Sequence, residues 1–421
     1  ANTRLGDLPP SSKVTRLTAS AASRVTAVPA QVDPLKDIIS TSLCILDLMN
    51  MISIPSVNNF DLDEINQNPE KGMSDYFETR LIELGLEVHS RKVLGERRNI
   101  WGRLKGNGNG PTIMLAGHLD TVGVDGYESP FDPKIENGKI FGRGSCDMKA
   151  GLAAYLEVLR KIKERNIQLS GDLIIAGVID EEHAMIGSID FGINGPIIDY
   201  AIIAEPTNLK ICPSHKGQIL LSVEIFGKAA HSSMPENGVN AISNMGILLH
   251  NLQKYSSSLN VYNGDQMFGK PSFNVGVITG GDNACSVPDI CKIDIDRRTI
   301  DGEDLQSFLC ELDDICKKIQ KRTHNFKYAI SKPFLNIEPL NTPLDSPLMK
   351  SIKKASDEEL GYSTINVFPG STDAPNFKCQ AVICGPGSLK QCHSLNEYVD
   401  IKEVKSAVNI YYSAIINLQN N

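Results

Sequence analysis

The segment Ile113–Asp120 (IMLAGHLD) brings an apolar run to a polar end, and the two-residue period of a strand puts His118 and Asp120 on one face. A carboxylate beside an imidazole can fix its tautomer and leave the other ring nitrogen free for a metal ion. One such pair is a weak signal, but the setting recurs. Asp147 opens a helix after a glycine-rich turn, Glu181 and Glu182 follow the apolar run Leu173–Ile179, and Glu205 follows a run ending at Ala204. His393 comes after the run Ala381–Cys384 and a Gly385-Pro386-Gly387 turn. Singly, each has a plain reading: Asp147 as a helix cap, Glu181-Glu182 as a solvated pair, Glu205 as a turn residue and His393 as a surface histidine. Together they stand near the carboxyl ends of expected strands, where α/β sheets place their sites.

If they converge, Asp120, Asp147, Glu181, Glu182 and Glu205 repel one another unless a cation compensates them, and two divalent ions would supply that charge. His plus carboxylate ligands suit zinc, and cobalt or manganese would also accept them. Neighbouring residues of an extended segment point in opposite directions. One of Glu181 and Glu182 therefore reads as a ligand and the other as a general base. The H-E-x-x-H and G-x-S-x-G signatures are absent, which leaves metal-assisted hydrolysis with dispersed ligands. No Lys-Ser/Thr follows the glycines of Asn107–Gly110, so a phosphate loop fails there. Gly142-Arg143-Gly144 lacks the third glycine of a dinucleotide fingerprint, and Asp147 stands in its place.

These residues need elements to hold them. Ile38–Ile52, Met73–Leu84 and Met148–Glu164 read as amphipathic helices, and Asp172–Ile179 and Tyr200–Ala204 as buried central strands. Asn107–Gly110 between the strand-like Ile100–Leu104 and Thr112–Leu119 reads as a hairpin turn. Between Lys216 and Lys332 the pattern becomes strand (Gln218–Phe226), helix (Val239–Tyr255), strands (Ser272–Thr279 and Ile290–Thr299) and helix (Asp304–Arg322). Helix Leu348–Leu360 and strand Ala381–Cys384 then resume the earlier alternation. The expected fold class is α/β, with a central, mostly parallel sheet in a catalytic domain (34–215 and 333–421) interrupted by an α+β insertion (216–332).

Composition narrows the partners. The chain has 421 residues, is 41% hydrophobic, and carries 42 Lys plus Arg against 50 Asp plus Glu, a net charge of −8. That balance fits a globular protein and argues against a nucleic-acid partner. No apolar run reaches the roughly 18 residues that cross a bilayer, so no membrane partner is expected. Ten cysteines without a C-x-x-C pair fit a reducing, cytoplasmic setting. Residues 1–33 hold Arg4, Lys13, Arg16 and Arg24 against Asp7 and read as a flexible tail or a leader; if they are a transit peptide, the destination is organellar.

GHLDTV, GRGSCDMKAG, DEEHAMIGS, AEPT, GKAAHSS and CHSLNEYV, in that order over roughly residues 35 to 415, resemble the metallopeptidase and deacylase family of acetylornithine deacetylase, succinyl-diaminopimelate desuccinylase and glutamate carboxypeptidase. The resemblance implies a zinc-peptidase-like catalytic domain interrupted by a ferredoxin-like lid that often dimerises, and hence a homodimer. It implies that His118, Asp147 and Glu205 hold one zinc, that Asp147, Glu182 and His393 hold a second, and that Asp120 orients His118. Glu181 would be general base and acid, a hydroxide bridging the metals would attack an amide carbonyl, and His231 would stabilise the oxyanion, often from the partner subunit. Arg298 in DIDRRT resembles the family's carboxylate clamp, and Ser371 and Thr372 belong to a loop lining the same cleft. Ser286 stands where many relatives have asparagine, with Asn283 as a substitute. The implied substrate is a small carboxylate-bearing N-acyl amino acid. A dipeptide, cleaved by a dipeptidase or carboxypeptidase, is the alternative, and a non-catalytic metal-binding protein is the reading from another class.

Overall fold

The computed structural model describes residues 34–58, 67–259 and 268–420, with side chains from residue 43 onward. The leader or tail expected for residues 1–33 lies outside the described residues.

A nine-stranded sheet forms the larger body. Its order is Glu87–Leu94, Arg97–Leu104, Leu173–Val178, Ile113–His118, Tyr200–Pro206, Gln380–Gly385, Ile211–His215 and Leu340–Asn341, and Ile365–Phe368 also pairs with Ile211–His215. The four central strands run parallel, and the flanking pairs from Glu87 to Val178 are antiparallel. The large sheet is therefore mixed, with a parallel centre. The parallel strands alternate their side chains between two apolar layers, which is why they read as unbroken apolar runs. Ile113, Leu115, Leu173, Ile175, Ile202 and Val382 face helices Pro34–Ile52, Lys149–Glu164, Pro347–Leu360 and Ile401–Gln419. Met114, Ala116, Ile174, Ala176, Ile203 and Ile383 face Phe191 and Phe377 on the other side.

The hairpin expected around Asn107–Gly110 does not form. Leu173–Val178 inserts between the two strands, pairing antiparallel with Arg97–Leu104 and parallel with Ile113–His118. The glycines serve a different need, because the loop lies against Leu169–Gly171, with Asn107 and Asn109 N–H donating to the Leu169 and Ser170 carbonyls. A Cβ on Gly106 would come within 2.2 Å of the Gly171 carbonyl oxygen. Local turn chemistry looks the same whether the next strand pairs directly or leaves a gap for a third.

Residues from Gly217 to Ile337 form a second, five-stranded antiparallel sheet. Its order is Ser272–Gly280, Ile290–Thr299, Gly217–Phe226 and Lys327–Ile330, with Leu335–Ile337 also on Gly217–Phe226. Together with helices Ala241–Leu259 and Leu305–Gln320, which cover one face, this is the ferredoxin-like arrangement. The opposite face is left for polar residues: along Ile290–Thr299, Ile293, Ile295 and Arg297 are buried while Asp294, Asp296 and Arg298 are half-buried.

A small ladder completes the frame of the site. Tyr398–Asp400 pairs with Lys139–Phe141, which pairs with Lys134–Glu136. It lays the loop carrying Asp147 beside the loop carrying His393.

Candidate active site

Three adjacent parallel strands end at one edge. His118 closes the first, Asp180, Glu181 and Glu182 follow the second, and Glu205 is the penultimate residue of the third. His393 reaches the same place from the loop after Gln380–Gly385, with a positive φ of 62°. A residue with a Cβ adopts that conformation at a cost of about 1 kcal/mol or more, which the surrounding contacts must offset.

Asp147 sits between the two histidines. Its Oδ1 lies 3.2 Å from His118 Nε2 and its Oδ2 lies 3.5 Å from His393 Nε2. His118 Nε2 is 3.7 Å from Glu205 Oε1, and His393 Nε2 is 3.2 Å from Glu182 Oε2. His118, Asp147 and Glu182 each offer a ligand atom within 4.8 Å of the others. His118 is fully buried, Asp147 and Glu205 nearly so, and the His393 side chain is 56% exposed at the rim.

The surroundings hold this arrangement firmly. His118 Nδ1 lies 3.0 Å from the Asp120 main-chain oxygen and 3.5 Å from its carboxylate. The expected orienting contact from Asp120 is therefore made chiefly by its carbonyl. The Asp120 carboxylate is occupied elsewhere, accepting from the backbone N–H groups of Glu181 and Glu182 at 3.2 and 3.1 Å and from Asn58 Nδ2 at 2.9 Å. Asn58 also donates to Asp180, which is held in turn by Arg97. Glu397, completely buried, accepts from the backbone N–H groups of Gly144, Cys146 and Asp147 at 3.0, 2.8 and 3.0 Å and from Arg143 at 2.6 Å. It fixes the loop that presents Asp147.

The electrostatics record an excess of negative charge. Burial raises the pKa values of Glu181, Glu182 and Glu205, and neighbouring carboxylates add to it, Glu205 on Glu181 and Asp147 on Glu182 and Glu205, against the opposing pull of the histidines. Burial would lower that of His118, yet Glu205, Asp120, Asp147 and Glu181 hold it well above the ordinary imidazole value. Asp147 and Glu182 raise His393 to about 10. Asp147 itself is held low: the two imidazoles outweigh its burial. Glu182 Oε1 and Glu205 Oε1 are buried without a hydrogen-bond partner. Buried acceptors left unpaired are costly, and divalent ions would satisfy the oxygens and the charge together. The donor set fits such ions.

The remaining expected site residues fall into two places. Arg298 reaches the large sheet's cleft: its Nη1 donates to Ser371 Oγ at 3.2 Å, while Nε lies 3.0 Å from Asp296 Oδ1. Arg297 faces inward onto Glu303 and Tyr255, so strand alternation leaves the half-buried Arg298 as the cation on the opposite face. Thr372 Oγ1 lies 3.1 Å from Nε2 of the buried His215, whose pKa burial lowers to about 4. His231 and Asn283 belong elsewhere, by the short ladder Ala230–His231 with Ser286–Val287. Both are exposed; His231 Nδ1 is 2.7 Å from Ser233 Oγ and Asn283 Oδ1 accepts from Cys285 N–H.

Sequence reasoning passed over Asn58, Asp180 and Glu397. Glu397 lies inside the quoted CHSLNEYV segment, yet nothing local tells a clamp from a surface acid. Asp373, next to Thr372 in the same loop, is buried, accepts from Ser188 Oγ, and is raised to about 7 by burial.

Residues 114–417 match Peptidase family M20/M25/M40. The chain is 30% identical over 377 residues to the acetylornithine deacetylase of Aliivibrio salmonicida (strain LFI1238), covering 86% of this chain and 94% of that protein. Its fold is similar to a tripeptidase from Staphylococcus aureus, with a TM-score of 0.73 at 22% identity over 90% of this chain and 99% of the other. A dinuclear metal-binding peptidase of the M20 family from Bacillus subtilis gives a TM-score of 0.67 at 15% identity, covering 91% of this chain and 99% of that one.

Proposed function

The chain belongs to peptidase family M20/M25/M40, and from that premise we propose that it is a dinuclear zinc deacylase acting on small N-acyl amino acids with a free carboxylate. As a member of the family it is a metal-dependent hydrolase of amide bonds. The observation that carries the finer reading is the Asp147 carboxylate, one oxygen toward each histidine, as a ligand shared by two ions requires.

In this reading His118, Asp147 and Glu205 hold one ion and Asp147, Glu182 and His393 hold the other. When bound, two such ions polarise the amide carbonyl and acidify water. Glu181, whose backbone is fixed by Asp120, takes the proton from the attacking water on a carboxylate oxygen and delivers it to the leaving nitrogen. Arg298 binds the substrate carboxylate beside Ser371 with the part of its guanidinium that Asp296 leaves open, and Thr372 keeps that loop in place through His215. His231, with Asn283 nearby, serves the oxyanion of a neighbouring copy, and the protein works as a homodimer through the smaller sheet. The edge strand Ser272–Gly280 supports this, because among the described residues it pairs on one side only and exposes Val277 and Ile278, with Ile242 exposed on helix Ala241–Leu259.

Deacylation is favoured over peptide cleavage because the 30% identical relative is a deacetylase, whereas the S. aureus tripeptidase shares 22%. Metal content by elemental analysis and turnover on N-acetyl amino acids, N-succinyl amino acids and dipeptides test the reading. The expected result is two zinc equivalents and fastest turnover of an N-acyl amino acid. Activity confined to dipeptides overturns it.

A further inference from the structure

Two cysteines stand directly before two of the proposed ligands. Cys146 precedes Asp147 and Cys392 precedes His393. The ladder between Tyr398–Asp400 and Lys139–Phe141 brings their loops together although 245 residues separate the cysteines (392 − 146 − 1). Both thiols donate to one acceptor, the Ser388 carbonyl oxygen, at 3.4 Å from Cys146 and 3.7 Å from Cys392. Sharing that oxygen places the two sulfurs around one atom. Cys146 is fully buried, packed so that a Cβ on Gly387 would meet its sulfur at 2.5 Å, whereas Cys392 is partly exposed.

We propose that Cys146 and Cys392 form a reversible disulfide that disables the metal centre under oxidising conditions; the metal half of this rests on the ligand assignment above. The oxidant is a low-molecular-weight disulfide. Cys392, the accessible thiol, gives up its proton and attacks one sulfur of that disulfide, breaking the S–S bond and releasing one thiol, which takes up the proton. Cys146 then attacks the Cys392 sulfur of the mixed disulfide and expels the second thiol with the second proton. The two cysteines lose two electrons and two protons, and the small disulfide gains them.

The consequence is geometric. A disulfide holds its sulfurs about 2.05 Å apart, closer than two thiols that each donate to the same oxygen. Closing that gap pulls the Cys392 loop and the Cys146 loop toward each other at the residues beside His393 and Asp147. Disturbing the groups that support metal ligands typically weakens metal binding by roughly ten- to a hundredfold.

The test uses the full-length, metal-loaded protein incubated with oxidised glutathione, then alkylated, digested without reductant and analysed by mass spectrometry, with metal retention against a chelator measured in parallel. The expected result is a Cys146–Cys392 cross-linked peptide pair two hydrogens lighter than the separate thiol peptides. Metal retention should fall roughly ten- to a hundredfold, return on reduction, and stay unchanged by oxidant in Cys146→Ser and Cys392→Ser. Glutathione remaining on Cys392 with Cys146 still alkylatable overturns the proposal. A cross-link that leaves metal retention unaltered, or oxidant sensitivity that persists in both serine variants, overturns it equally. A chain that holds no metal before treatment refutes the ligand assignment instead, while the peptide map still decides the thiol pair.

Discussion

The molecule buries acids in two neighbouring regions and treats them oppositely. Among the helices packed on the large sheet, Asp47 and Glu157 share Arg160, and Asp47 also accepts from Arg80 at 2.9 Å and Tyr76 at 2.7 Å. Two carboxylates meet two guanidiniums, and the region closes its own charge. At the strand edge, four acids (Asp147, Glu181, Glu182 and Glu205) face two imidazoles, and two buried carboxylate oxygens have no hydrogen-bond partner. Glu397 shows that a buried acid near that edge can also be fully satisfied, with three backbone N–H groups and Arg143 around it. A buried carboxylate is therefore not itself a sign of function. An uncompensated set of them is, because the fold has given up stability there that only a ligand restores.

The contrast can be broken by substitution. The largest effect is expected at Glu181: Glu181→Gln should lower kcat by about 10²- to 10⁴-fold, with metal content retained. Unchanged turnover in steady-state assays would remove the base from the mechanism. Next comes the balanced region. Arg160→Met takes away the guanidinium shared by Asp47 and Glu157 and should cost about 3 kcal/mol in urea unfolding, with turnover per folded molecule unaltered. An equal loss of turnover would mean that the two regions are not independent. The smallest effect, of opposite sign, is expected at the uncompensated edge. Glu205→Gln removes one charge from the cluster and should raise the melting temperature of the metal-free protein by about 2 °C while weakening metal binding. A lower melting temperature would show that Glu205 is compensated by the protein alone.

Much of this organisation is legible along the chain. Strand alternation, apolar runs and glycine turns mark the elements, and the motifs around His118, Asp147, Glu181, Glu182 and Glu205 lie at or next to element ends whose position depends on a few neighbouring residues, whereas His393 stands inside a loop. Arg298 is chosen along the chain only by the resemblance of DIDRRT. The contacts that separate it from its neighbour come with the fold: Glu303 and Tyr255 bury Arg297, and Ser371 receives Arg298. The loop Asn107–Gly110 misleads, since its composition describes a turn and not which strand lies beside it.

The sequence by itself determined the types of elements, the chemistry of the donors and the excess of acids over bases. The tertiary structure alone decided which acids are compensated. Asp147 depends on Glu397, 250 residues away, and Asp180 on Arg97, 83 residues away. The reason is physical: periodicity and capping act over one or two turns of chain, whereas the energy of a buried charge depends on every group within a few ångströms, and only folding brings those groups there.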